Sequence, residues 1–141
     1  MSYTTAVVVP LSYEDAVRRT REALSEQGFG ILTEIDVRAT FEKKLGPEAA
    51  EGVGDYVILG ACNPGLAGKA LAAEPELGAL LPCNVVVRRG PEAGSSTVEA
   101  IDPQTMVQLS GTEAVREVAD DAGARLRAAL EALDGRPAGA R

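Results

Sequence analysis

Two cysteines, each followed by an asparagine, are the residues of this chain best suited to chemistry. Cys62-Asn63 comes directly after an apolar run, and Cys83-Asn84 opens the next apolar run. A thiolate is a nucleophile, and an amide side chain can both donate and accept hydrogen bonds. Asn63-Pro64 is also a good helix start, where free backbone N–H groups favour negative charge. The pattern predicts one site near Cys62, Asn63, Cys83 and Asn84, for a small polar ligand, an anion or thiol redox chemistry.

Histidine is absent from the sequence, and this restricts the reactions that the chain can perform by itself. A Ser-His-Asp or Cys-His nucleophile is excluded within one chain, because histidine is the base that activates it. A structural zinc site needs four ligands, and two cysteines are too few. We therefore predict no metal and no cofactor, and no residue is identified as catalytic.

Two carboxylates, Glu34 and Asp36, form a second candidate site. They alternate with apolar residues in a predicted strand, so both project from one face of it. Paired carboxylates can perform acid–base chemistry or bind a metal ion. The alternative is that they are ordinary solvated residues on the outer face of a sheet.

Length, charge and hydropathy limit the classes of protein to which this chain can belong. The chain has 141 residues, a formal net charge of −7 and a sequence pI of about 4.6. Nucleic-acid binding needs clustered Lys and Arg, so this charge opposes a nucleic-acid partner. No run approaches the roughly 20 apolar residues that span a bilayer, and the N-terminus lacks a signal-peptide pattern. We expect a cytoplasmic protein with no membrane partner, whose two cysteines are reduced.

Hydrophobic periodicity positions these residues on a small set of elements. Alternating or short apolar runs predict five strands, at residues 3–9, 29–37, 56–61, 83–89 and 97–101. Helical spacing predicts a helix at 13–27 after a Ser12–Asp15 capping pattern, one at 37–45 with Phe41 and Leu45 inward, and one at 64–73. A long helix follows a Ser110–Glu113 capping box and ends near Leu133. Residues 48–55 are predicted to be a loop. The long helix carries an apolar stripe made of Val115, Val118, Ala119, Ala122, Leu126, Ala129, Leu130 and Leu133.

The order of these elements predicts the fold class. No series of βαβ units runs through the chain, and the later strands are close in sequence. We predict an α+β two-layer sandwich, with a largely antiparallel sheet and helices packed on one face. Residues 1–134 form a single domain in this interpretation, and residues 135–141 form a disordered C-terminal tail.

Four segments also carry a family resemblance. They are Gly28-Phe29-Gly30 leading into Glu34-Ile35-Asp36, Cys62-Asn63-Pro64, Leu81-Pro82-Cys83, and Ala100-Ile101-Asp102-Pro103. In this order and spacing, the chain resembles the domain-of-unknown-function 302 family over about residues 3–133. The resemblance implies a TATA-binding-protein-like fold with the element order β-α-β(4)-α, in which the short helices are insertions. It also implies a homodimer, the state in which this fold is commonly seen. It implies neither DNA binding, because fold does not fix function, nor any catalytic residue.

Three functional interpretations remain open. The first is a homodimeric binding or sensing module that holds a small ligand near Cys62 and Cys83. The second is a thiol-disulfide redox enzyme with Cys62 as the thiolate and Cys83 as its resolving partner. The third is a structural dimer without a ligand, in which both cysteines are small buried apolar residues and Cys62-Asn63-Pro64 only makes a tight strand-to-helix turn.

Overall fold

The computed structural model describes residues 2–134, so the predicted disordered tail at residues 135–141 lies outside the described residues. Five strands and six α-helices follow one another, with one 3₁₀ helix between α4 and β4. Their bounds are β1 Thr4–Val9, α1 Tyr13–Glu26, β2 Gly30–Asp36, α2 Val37–Leu45, α3 Pro47–Val53, β3 Tyr56–Cys62, α4 Pro64–Ala73, the 3₁₀ helix Pro75–Leu80, β4 Cys83–Arg89, β5 Ser96–Ile101, α5 Gln104–Leu109 and α6 Glu113–Leu133.

The strands form one antiparallel sheet in the order β1-β5-β4-β3-β2. Helix α1 carries the chain from one edge strand to the other, and β2 to β5 then return as a meander. Helix α6 follows β5 and packs against α1 and β1. The predicted α+β class, with an antiparallel sheet and helices packed on it, is confirmed.

The main core lies between one face of the sheet and helices α1 and α6. Leu59 pairs with Val85 and Val57 pairs with Val87, so these side chains share the face toward the helices. All eight residues of the predicted stripe on α6 are buried. The predicted cap of α1 is also present, because the Ser12 side chain accepts a hydrogen bond from the Asp15 N–H. No helix within residues 2–134 has the length and apolar character needed to cross a bilayer.

Two predictions about the region before β3 are wrong. Residues 48–55, predicted as a loop, contain most of helix α3, which begins at Pro47. Proline suits the first helical turn, where its missing N–H removes no hydrogen bond. Leu45, predicted to point inward from α2, is 67% exposed, and α2 buries none of its residues. Helical spacing identified α2 correctly but could not show that it lies outside the core.

The start of the long helix also differs from the prediction. Thr112, not Ser110, is the N-terminal cap residue of α6, and its side chain makes no capping hydrogen bond. The hydroxyl groups of both Ser110 and Thr112 donate instead to the carboxylate of Glu74. A long-range contact has therefore replaced the local capping box that the sequence pattern predicts.

A β-bulge in edge strand β2 reverses part of the predicted alternation. Ile31 pairs with Ala61 and Thr33 pairs with Gly60, so the bulge falls at Leu32 between them. Beyond the bulge, Glu34 lies opposite Leu59 and Asp36 opposite Val57, on the face that carries the helices. The two carboxylates do share a face, as predicted, but it is not the outer face. Ile35 takes the outer face and is 48% exposed.

Candidate functional site

A cavity of about 270 Å³ lies at the end of the sheet where β3 ends and β4 begins. Helices α4, α5 and α6 enclose it together with the first residues of β2. The side chains that line it are Phe29, Leu32, Ala61, Cys62, Asn63, Leu66, Ala67, Ala70, Leu71, Leu81, Pro82, Cys83, Met106, Val118 and Ala122.

The lining is almost entirely apolar. None of the lining residues carries a formal charge, and the polar groups are one amide and two thiols. An anion would have no cationic side chain to pair with here, and burying an unpaired charge is unfavourable. The cavity therefore suits an uncharged, largely apolar molecule better than the polar ligand or anion predicted from the sequence.

The two cysteines reach this cavity from neighbouring strands. Ala61 pairs with Cys83, and Cys62 is the next residue along β3. Paired residues share a face of the sheet, so Cys83 is on the face of Ala61, and Cys62, the next residue, starts toward the opposite face. The cavity lies at the strand ends, where it contacts both side chains. Cys83 is only 8% exposed, whereas Cys62 is partly exposed. A direct disulfide between them is disfavoured, because the Cα–Cβ bonds of two disulfide-bonded cysteines must point toward each other, whereas these two start toward opposite faces.

Burial and the nearby Cys62 thiol raise the pKa of Cys83 to about 11. Burial is the larger cause, because an apolar environment disfavours the charged thiolate. At neutral pH the Cys83 side chain is consequently a protonated thiol. It is a poor nucleophile, since the thiolate is the reactive form.

The two asparagines have separate positions. The Asn63 side chain accepts a hydrogen bond from the Leu66 N–H at 3.1 Å and caps α4, as its sequence context predicts. Gly28 lies beside it with φ of +86°, and a Cβ at Gly28 would come within 3.0 Å of the Asn63 amide nitrogen. Asn84 pairs with Gly60 and is exposed. It does not line the cavity with the other three predicted residues.

Glu34 and Asp36 also lie away from the cavity, and each has a partner. Glu34 forms an ion pair with Arg21 of helix α1. Asp36 caps helix α2, with its carboxylate accepting from the Ala39 N–H at 2.9 Å. Within residues 2–134 no group of three or more His, Cys, Asp or Glu side chains is arranged to hold a metal ion. These contacts give both carboxylates a structural role.

Several lining residues were not among the predicted site residues. Phe29 and Leu32 come from the turn into β2 and its bulge, and Met106 comes from α5. Val118 and Ala122 belong to the predicted apolar stripe of α6, so their burial was expected but their place at a cavity was not. No local pattern marks such residues, because the cavity is formed by elements far apart in the sequence.

Comparison with known proteins places these features in context. A family model described as "Domain of unknown function DUF302" matches residues 5–133. The fold is similar to a structure titled "Crystal structure of uncharacterized conserved protein DUF302 from Bacillus stearothermophilus", with a TM-score of 0.79 and 27% sequence identity. The match covers 94% of this chain and 99% of that one. The comparison with curated proteins gave no match.

Proposed function

The chain belongs to the DUF302 family, and from that premise we propose that it binds a small, uncharged, largely apolar molecule in the cavity at the end of β3 and β4. The observation that carries this proposal is the combination of volume and lining. About 270 Å³ is close to the lower end of the usual range for ligand sites. Three of the four segments on which the family resemblance rests, those containing Phe29, Cys62 and Cys83, contribute to its wall.

The driving force would be burial of apolar ligand surface. Each Å² of apolar surface removed from water contributes about 25 cal/mol. The side-chain oxygen of Asn63 caps α4, and this contact fixes the position of its amide group at the cavity wall. The Asn63 amide and the buried thiol of Cys83, a weak hydrogen-bond donor, are the polar groups that would orient a ligand inside the cavity.

A pair of matched fluorescent probes tests the proposal. We expect neutral N-phenyl-1-naphthylamine to bind with a dissociation constant of roughly 0.2 mM or lower, from the usual affinity per atom of compact apolar ligands. Its sulfonated analogue, 8-anilinonaphthalene-1-sulfonate, should bind at least about tenfold more weakly, because the cavity offers no cation to compensate the buried charge. Fluorescence titration measures both. Equal binding of the two probes, or no binding of the neutral one, would contradict the proposal.

The redox alternative receives less support from the geometry. It requires Cys83 to act as the resolving thiol, but its raised pKa keeps it protonated at neutral pH, and its side chain starts toward the sheet face opposite that of Cys62. The alternative of a purely structural dimer predicts that neither probe binds. The probe titration therefore separates the binding function from that alternative as well.

We propose that the binding module works as a homodimer, in a reducing compartment such as the cytoplasm where both thiols would stay free. The support is the sheet face opposite α1 and α6. Ile35, Ile58 and Val86 lie side by side across three strands of that face, and Val8 of β1 lies on the same face. Val8 and Ile35 are 50% and 48% exposed. A second copy placed on this face would remove that apolar surface from water.

Light scattering coupled to size-exclusion chromatography tests the dimer. We expect a dimer for the unsubstituted chain and a monomer for Ile35→Glu, because a carboxylate buried between two copies would be unpaired. Leu109→Glu is the matched control, since Leu109 is an exposed leucine on α5, outside this face. A monomeric unsubstituted chain, or loss of the dimer in the control alone, would overturn the assignment of this face.

A further inference from the structure

We propose that residues 64–80, comprising α4 and the 3₁₀ helix, form a lid over the cavity and that the contact of Glu74 with Ser110 and Thr112 latches it. This inference rests on the proposed binding function, because it describes how a ligand would enter and leave the same cavity. The lid connects β3 to β4, the two strands whose ends border the cavity.

The packing of the lid is largely separate from the main core. Helix α4 packs mainly against α6 and against the 3₁₀ helix that follows it. Leu66, Ala70 and Leu77 of the lid form one apolar cluster with Met106 and residues of α6. The residues of the sheet, of α1 and of the second half of α6 form a different cluster, which includes Cys83. The cavity lies where the two clusters meet, so movement of the lid would open it without disrupting the sheet.

The latch is a pair of short hydrogen bonds to a single carboxylate oxygen. The hydroxyl groups of Ser110 and Thr112 each donate to Oε1 of Glu74 at 2.7 Å. Glu74 is the C-terminal cap residue of α4, directly before the 3₁₀ helix, and the other two residues lie in the connection from α5 to α6. The contact therefore joins the middle of the lid to the connection between α5 and α6, the two helices whose residues share the apolar cluster of the lid.

The two hydroxyl groups also lower the pKa of Glu74 below its ordinary value. A carboxylate that is charged at neutral pH accepts stronger hydrogen bonds than a neutral group does. The latch is thus formed under ordinary conditions, and it would be broken by removing either the carboxylate or both hydroxyl groups. Arg116, the nearest cation along α6 to Thr112, is within ion-pair distance of Glu113, at 3.7 Å.

Alkylation of the buried Cys83 thiol reports lid opening without any ligand. We expect Glu74→Ala to increase the rate of Cys83 labelling by iodoacetamide about fivefold, because the latch is partly solvated and its hydrogen bonds stabilise the closed lid only modestly. The rate at the partly exposed Cys62 should change little. Ser110→Ala combined with Thr112→Val removes the other half of the latch and should give the same increase, and mass spectrometry reads each cysteine separately.

Ser96→Ala is the control for general loss of stability. It removes a buried hydrogen bond to the Leu11 carbonyl at the far end of β4 and β5, away from the lid. The two variants are compared under conditions that give them equal free energies of unfolding. If Ser96→Ala then accelerates Cys83 labelling as much as Glu74→Ala does, global unfolding is responsible and the lid inference is overturned. The inference is also overturned if Glu74→Ala leaves the labelling rate unchanged.

Stopped-flow kinetics with N-phenyl-1-naphthylamine separates the lid from the proposed function. If the lid controls entry, Glu74→Ala should raise the association and dissociation rates by the same factor and leave the dissociation constant unchanged. Accelerated Cys83 labelling in a chain that does not bind the probe would support the lid and refute the binding function. Probe binding with unaltered rates in Glu74→Ala would refute the lid and leave the binding function standing.

Discussion

Ala67→Phe is expected to weaken binding of N-phenyl-1-naphthylamine by about thirtyfold or more. Ala67 lies on α4, lines the cavity and is only partly buried, so a larger side chain can extend into the cavity without displacing the core. A phenyl ring there would occupy volume needed by the ligand. The loss corresponds to about 2 kcal/mol, the contribution of burying one large apolar group. Fluorescence titration of the purified variant measures the change directly.

Ala72→Phe is the matched control for this substitution. Ala72 lies on the same helix but is exposed and does not line the cavity, so the same change of side chain should leave the affinity unaltered. Similar circular dichroism spectra of the two variants would show that the fold is retained. Unimpaired probe binding by Ala67→Phe would show that the ligand occupies another part of the molecule.

Alkaline pH is expected to destabilise the protein through Cys83. The pKa of this thiol is raised to about 11 in the folded chain from an ordinary value of 9.0. Well below pH 9 both folded and unfolded states keep the proton, and the thiol adds no pH dependence to the stability. As pH rises from 9 toward 11 the unfolded state ionises first, so the free energy of unfolding falls by about 1 kcal/mol by pH 10 and about 2–3 kcal/mol in total.

Urea unfolding at pH 8, 9 and 10 tests this prediction when the chain is compared with Cys83→Ala. The variant lacks the buried thiol, so the stability difference between the two proteins should change by about 1 kcal/mol across this range. The pH range stops at 10 because the pKa of Tyr13 is also raised, to about 12, mainly by burial, and its contribution begins above its ordinary value of 10.0. A difference that stays constant with pH would show that Cys83 is more exposed in solution.

The sequence predicted the elements best where a local pattern and tertiary packing require the same arrangement. The stripe on α6 is buried as predicted, because a long helix with one apolar face removes that face from water by packing it against the core. The cap at Ser12 was predicted correctly for a similar reason, since it involves only neighbouring residues. Ser110 shows the limit, because a carboxylate 36 residues away competes for its hydroxyl group and displaces the local cap.

The candidate site was only partly predictable. Both cysteines occur at strand ends, and an antiparallel meander brings the end of β3 next to the start of β4, so their shared position followed from the fold. The chemical character of the site did not follow, because it depends on Phe29, Met106 and Val118, which resemble ordinary core residues in the sequence. The bulge at Leu32 was equally hidden, since one extra residue in a strand leaves no compositional mark.

That bulge has a consequence for how copies of this chain behave when they meet. Strand β2 is one free edge of the sheet, and a regular free edge is a template on which another strand can add and start aggregation. The irregular register at Leu32 interrupts the row of unpaired backbone groups, and the nearby charges of Glu34 and Asp36 make a flat approach unfavourable. Leu32, which lines the cavity, thus also protects this edge of the sheet from strand addition by another copy.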